Sequence, residues 1–155
     1  MHKMTLRLPS ALVLAGLAST AGAAGFQLWE QNASGLGVAY AGSAAVADNA
    51  STIFFNPAGM TQLPGLRLSV GVAGVGSNLK FKDEGSTGVG GNGGDAGGWV
   101  AAPNAYLSWQ LAPQWFVGLG VSSPFAVSAK YDDSWIGRFH AIKTDLSTVN
   151  VNPSI

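Results

Sequence analysis

Asp132, Asp133 and His140 form the group in this chain best suited by residue type to acid–base work, with Ser134 and Ser147 near enough in sequence to be recruited as nucleophiles. Nothing places them on the sharp strand-to-helix turn that an exposed serine nucleophile needs, and a solvated loop explains the same cluster. The chain is therefore read as a non-enzyme with no catalytic residues. Gly88-Val89-Gly90-Gly91-Asn92-Gly93 spells a dinucleotide fingerprint, but it lies in a glycine-rich tract with no strand–helix unit around it. Asp83, Glu84 and Asp95 offer oxygen ligands for Ca²⁺ without the fixed order of an EF-hand loop, and read better as a mobile acidic loop. With no cysteine, thiolate metal sites and disulfides are also excluded. No cofactor and no metal site is expected.

Chemistry of another kind follows from composition. Only 10% of the 155 residues are charged, 47% are hydrophobic, and glycine occurs 22 times. A soluble surface usually needs about 25% charged residues. A formal net charge of zero gives no footing for a nucleic-acid partner. The elements that carry these residues begin with a short basic region, Lys3 and Arg7, followed by the apolar run Ala11–Ala18 and the small residues Ala21-Gly22-Ala23. That order reads as a cleaved secretory signal over residues 1–23, since eight apolar residues are too few to span a bilayer. Residues 24–63 mix small and polar side chains without a sustained period, allowing short helical turns that Asp48 and Asn49 could cap. The segment needs something to pack against.

From residue 64 the pattern alternates. Leu66, Leu68, Val70 and Val72 share one face; so do Ala105, Leu107, Trp109 and Leu111; so do Trp115, Val117, Leu119 and Val121; Val149 and Val151 begin a fourth run. Successive strand side chains point to opposite faces, so each run has an apolar face and a small or polar one. Four strands are expected. A secreted sandwich would turn the apolar face inward, and a membrane barrel would turn it to lipid. Three features favour the barrel. Long connections alternate with the short turn Ala112-Pro113-Gln114; Trp109 and Trp115 flank that turn as an interfacial girdle would; and the polar face is almost free of charge. The expected fold class is all-β, a transmembrane β-barrel. Four strands cannot close one, and Ile155 falls inside the fourth run, so a fragment of a longer protein is expected, unable to insert or transport alone.

Ala24-Gly25-Phe26-Gln27-Leu28 behind a signal peptide resembles the mature start of the FadL family of outer-membrane transporters. So do Ser34-Gly35-Leu36-Gly37, Ala39-Tyr40-Ala41-Gly42, Ala47-Asp48-Asn49-Ala50 and Asn56-Pro57-Ala58, in that order. The resemblance implies a barrel of 14 strands in the bacterial outer membrane, with residues 24–63 as a hatch in its lumen and residues 64–155 as the first strands. It implies passive uptake of a hydrophobic solute, long-chain fatty acid or aromatic hydrocarbon, next to outer-membrane lipid and lipopolysaccharide. On that reading Asn56, Pro57 and Ala58 form a hatch motif, and Phe26, Phe54, Phe55 and Met60 are candidate solute contacts. A non-transporting barrel (adhesin or structural) and a general porin remain the alternatives, and the apolar hatch counts against a porin's open, charged lumen.

One more signal lies at the end of the third run, Ser122-Ser123-Pro124-Phe125. Proline cannot donate to a ladder. Pro124 either lies already in an external loop or kinks the strand and opens the wall. The resemblance implies the second, a lateral opening lined by these four residues.

Overall fold

The computed structural model describes residues 27–155; the expected signal peptide and Phe26 lie outside the described residues. The N-terminal segment contains a 3-10 turn at Leu36–Val38, one helical turn α1 at Thr52–Phe55 and a 3-10 helix at Pro57–Gln62. Six strands follow: β1 Leu66–Gly76, β2 Trp99–Ala112, β3 Trp115–Ser122, β4 Ala126–Lys130, β5 Lys143–Ser147 and β6 Asn150–Ser154. Strands β1, β2, β3 and β6 form an antiparallel sheet in that order, and β4 and β5 form a separate two-stranded ribbon. The four expected strands are the four of the main sheet, and the ribbon corrects the count. It lies where a plain external loop was expected. No helix among the described residues is long and apolar enough to cross a membrane.

Register aligns the apolar positions across the sheet. Val70 stands opposite Ala105, which stands opposite Val121, which stands opposite Val151; one step along, Leu68, Leu107, Leu119 and Pro153 align in the same way. These apolar residues face out, with Leu68 70% and Val70 72% exposed. The other face carries Ala102, Asn104, Tyr106, Ser108, Phe116 and Ser122, all buried. A sandwich would bury the first set and wet the second, so the arrangement is that of a barrel wall seen from both sides. Trp99, at the far end of β2, shares the outward face with Trp109. About 34 Å of strand separates the two at ~3.4 Å per residue, which a tilt of ~40° reduces to about 26 Å. That matches the ~25 Å apolar band between the aromatic girdles of outer-membrane barrels.

The N-terminal segment packs on the inward face. Ala50, Ile53, Met60, Tyr106 and Phe116 make one buried cluster, with Phe54 against it. The segment joins the sheet only because β3 presents glycine there. A Cβ on Gly118 would sit 2.5 Å from Met60 Sδ and 2.8 Å from Ile53 Cδ1, and one on Gly120 would sit 3.3 Å from Ile53 Cγ2.

The connection between β1 and β2, expected to be mobile, is packed against the connection between β4 and β5. Gly91 N–H donates to Ser134 O at 3.0 Å, Ile136 N–H donates to Gly91 O at 2.9 Å, and Arg138 Nη1 donates to Val89 O at 2.7 Å. Gly90 permits this approach, since a Cβ there would lie 2.6 Å from Ile136 Cα. Tyr131 stacks on Trp135 at 4.0 Å, and Phe81 meets the same indole edge-on.

Candidate functional site

The N-terminal segment is bonded to the inner face of the sheet at several points. Tyr106 Oη donates to Gln31 O at 2.9 Å, Asn152 Nδ2 to Ile53 O at 3.1 Å, and Ser69 Oγ to Asn49 Oδ1 at 3.2 Å. Ile53 and Met60 are buried to 0% and 2% exposure. Burial of two side chains of that size stabilises the docked segment by about 3–6 kcal/mol. A segment held this way fills the space inside the sheet.

Asn56, Pro57 and Ala58 act on the chain itself. Asn56 is extended, its side-chain oxygen accepts from Ala58 N–H at 3.2 Å as the N-cap of the 3-10 helix, and Pro57 takes the first helical position. Its amide donates to Ala44 O at 2.8 Å. Both ends of the carboxamide are thus used to join two stretches of the segment. Asn49 does similar work on the preceding turn, accepting from Ser51 N–H at 2.9 Å. Of the candidate solute contacts, Phe54 and Phe55 are half-buried and packed edge to face at 5.1 Å, Met60 is buried against β3, and Phe26 lies outside the described residues.

Ser122, Ser123, Pro124 and Phe125 mark a break. Strands β2 and β3 pair from Ala112 and Trp115 up to Asn104 and Ser122, and there the ladder stops. β2 continues to Trp99 beside β1, whereas the chain beyond Ser122 forms its next ladder with its own return, Ala126 opposite Ser147, and meets the β2 side again at Lys130, whose N–H donates to Ala96 O at 2.9 Å. Residues Trp99–Pro103 consequently have no strand partner on that side among the described residues. The N-terminal segment reaches into the break: Leu28 N–H donates to Pro124 O at 2.8 Å, and Gln31 Nε2 donates to Ser123 O at 3.3 Å and Leu28 O at 3.0 Å. Gln31 is 1% exposed, so this carboxamide is committed to the junction.

An apolar cavity lies on each side. The inner one, about 390 Å³, is lined by Leu28, Trp29, Val75, Val100, Ala126 and Val127 among others. The outer one, about 520 Å³, is lined by Val70, Pro103, Ala105, Val121, Ser123 and Val149 among others. Sequence reading singled out Ser123 and Pro124, which border this break, and did not single out Gln31, Val100 or Pro103. Pro103 was visible as a proline just before the alternating run of β2, a signal of the same kind as Pro124.

The polar residues considered for catalysis or metal binding are spread through the outer connections. Asp95 Oδ1 accepts from Leu79 N–H at 2.9 Å and Gly97 N–H at 3.0 Å, and these two amides hold its carboxyl below the usual carboxylate range. The Ser86 hydroxyl and amide lower Asp83 in the same way. His140 lines a small hollow of about 100 Å³ with Tyr131 and Trp135, whereas Ser147 lies in β5 and lines the outer cavity of the break. Among the described residues no side-chain hydrogen bond joins a serine, His140 and an aspartate.

A family model described as outer membrane protein transport protein (OMPP1/FadL/TodX) matches residues 14–155. The 47 kDa outer membrane protein of Pasteurella multocida is 37% identical over 93% of this chain and 33% of its own length. Outer membrane protein P1 of Haemophilus influenzae is 36% identical over 95% of the chain and 35% of its own length. The long-chain fatty acid transport protein of Escherichia coli K12 is 31% identical over 99% and 35%. The chain spans about a third of the length of these curated relatives. The crystal structure of a Pseudomonas aeruginosa FadL homologue superposes with a TM-score of 0.73 at 22% identity, covering 84% of this chain and 33% of that one.

Proposed function

The chain belongs to the OMPP1/FadL/TodX family of outer membrane transport proteins, and on that premise we propose that it supplies the plug and wall strands of a channel for passive uptake of hydrophobic solutes. The family is one of transport proteins of the bacterial outer membrane. Residues 1–23 are the signal peptide, residues 24–63 the hatch, and residues 64–155 strands of the barrel. The single observation that carries the reading is the break beside Ser123, with an apolar cavity on its hatch side and another on its lipid side. A solute held near Leu28 and Val100 could leave through the wall toward Val121 and Val149. It would then enter the bilayer sideways without meeting the polar saccharide of lipopolysaccharide. Phe54 and Phe55 offer further apolar surface on the hatch, and Met60 fixes the hatch in place. The solute is a long-chain fatty acid or an aromatic hydrocarbon.

The test is a chimera in which residues 1–155 replace the matching third of the E. coli long-chain fatty acid transport protein, made in a strain lacking its own transporter. Uptake of labelled oleate or toluene should exceed that of the empty vector, and Ser123→Trp should reduce it with the barrel still assembled. A folded chimera with no gain for either solute would move the assignment to a porin or an adhesin. Gain that Ser123→Trp leaves intact would remove the lateral exit.

A further inference from the structure

Which strand causes the break can be worked out from register. Gln110 N–H donates to Gly65 O at 2.9 Å, so the backbone of Gln110 points to the β1 side of β2. Neighbouring residues of an antiparallel strand point their N–H and C=O groups to opposite sides. The β1–β2 register runs without interruption from Trp109 to Trp99, so even-numbered residues of β2 bond to β1 and odd-numbered ones face β3. Ala105 opposite Val121 is therefore a hydrogen-bonded rung of the β2–β3 ladder, and the next such rung falls on Pro103 and Ser123. Proline has no N–H to give. The ladder ends at the first rung where β2 offers a proline.

Pro124 cannot play this part. In β3 it is the even-numbered residues Gly118, Gly120 and Ser122 that bond to β6, so a strand continued past Ser122 would point Pro124 toward the returning strand and away from β2. Its effect is on the β4–β5 side. There, residues 123–125 stand opposite only Thr148 and Val149, with Phe125 and Thr148 still exchanging bonds.

We propose that Pro103 sets where the wall opens, and that the Gln31 carboxamide takes over the Ser123 carbonyl that Pro103 leaves without a donor. Pro103 is thus a positioning residue for lateral exit, and its functional consequence rests on that reading of the channel. The structural half stands on the register and the 3.3 Å bond from Gln31 Nε2 to Ser123 O. An unpaired carbonyl beside hydrocarbon is costly, which is why the hatch must reach it. Pro103 faces outward and is exposed, so Pro103→Val restores a donor at a position where a β-branched side chain suits both strand and lipid.

The experiment uses the chimera carrying the whole chain. Ala101→Cys and Phe125→Cys occupy the next rung of the continued register, and a disulfide needs their Cα atoms within about 4.4–6.8 Å. Oxidative cross-linking of this pair should rise severalfold in the Pro103→Val background and stay at the parent level with Pro124→Val. Oleate or toluene uptake should fall at least about fivefold, the population factor of one net hydrogen bond, with heat-modifiable migration unchanged. Cross-linking that rises without loss of uptake supports the role of Pro103 and overturns lateral exit. Cross-linking that does not respond overturns the proposal. Should Pro103→Val assemble poorly, thermal stability decides instead. Gln31→Leu should destabilise the parent more than it does the Pro103→Ala variant, which regains a backbone N–H at that position to satisfy Ser123 O. Equal losses in both backgrounds overturn the proposal.

Discussion

Strands β2 and β3 behave in two ways along one line. Below Asn104 they are zipped, apolar outside and filled inside by Ile53 and Met60; above it β2 runs on paired with β1 but, among the described residues, with no strand on its other side, and the inner space holds a cavity. Both halves have the same outward chemistry, Leu107 and Trp109 below, Ala101 and Trp99 above. Hydrophobicity therefore does not separate them. What separates them is the backbone: glycine in the lower half lets the N-terminal segment approach, and proline at the border stops the ladder. In a wall, the residues without functional side chains decide where it is closed.

The largest expected effect comes from closing the glycine space. Gly118→Leu puts a side chain where Met60 Sδ and Ile53 Cδ1 now lie within 2.8 Å of a bare Cβ. Overpacking of this kind costs about 1–3 kcal/mol, occasionally more. The N-terminal segment should detach and the melting of the chimera, followed by heat-modifiable migration, should drop accordingly. Leu119→Ala, one residue away on the lipid face, serves as the control and should change migration little. Equal effects of the two would mean that docking of the N-terminal segment does not stabilise the lower half.

At the border, Tyr106→Phe is expected to act next in size. Its hydroxyl donates to Gln31 O, both groups are buried, and the variant strands that carbonyl at about 1–3 kcal/mol. Because Gln31 also bonds Ser123, the loss should reach the upper half: protease cleavage within residues 27–35 of intact cells or proteoliposomes should become faster. Cleavage unchanged from the parent would show that the two halves are independent.

The lower half was legible in the sequence because lipid on one side and a small, polar lumen on the other write a period of two into every strand. The turn Ala112-Pro113-Gln114 and the girdle residues Trp109 and Trp115 were legible for the same reason. Trp99 was not, since the run Trp99-Val100-Ala101-Ala102-Pro103 is apolar on both faces and has no alternation to read. The β4–β5 ribbon was hidden by the opposite circumstance. Every residue of β5 is exposed, and its chemistry is that of a loop, with Lys143 paired to Asp145 and Ser128 bonded to the same carboxylate. Asn56-Pro57-Ala58 was legible as a turn, while the partners of Asn56 and Gln31 were not, because Gln31 meets Ser123 from 92 positions away. Pro103 shows the limit most clearly. A proline in a strand is visible at once, but which neighbour it deprives depends on the side its nitrogen faces, and only the register supplies that.

The smallest effect is expected above the open half, where the connection between β1 and β2 is held by Asp95. The carboxylate accepts from Leu79 N–H and Gly97 N–H, and its pKa lies below the ordinary value of 3.8. A carboxyl whose folded pKa is depressed contributes stability that is present above its unfolded pKa and lost as pH falls through the folded one. The connection should therefore hold its shape from neutral pH down to about pH 4 and loosen below it. Asp95 is fully exposed, so the change should be local and weakened by salt. Pepsin cleavage within residues 77–98 between pH 4 and pH 2 measures it directly. Asp95→Asn keeps an acceptor oxygen without the charge, so cleavage should be somewhat faster at pH 4 and its pH dependence flatter. A variant as pH-dependent as the parent would assign the loosening to Asp83, whose carboxylate accepts from Ser86 in the same connection. Migration of the folded barrel should not move over this range, since neither carboxylate touches the β2–β3 ladder.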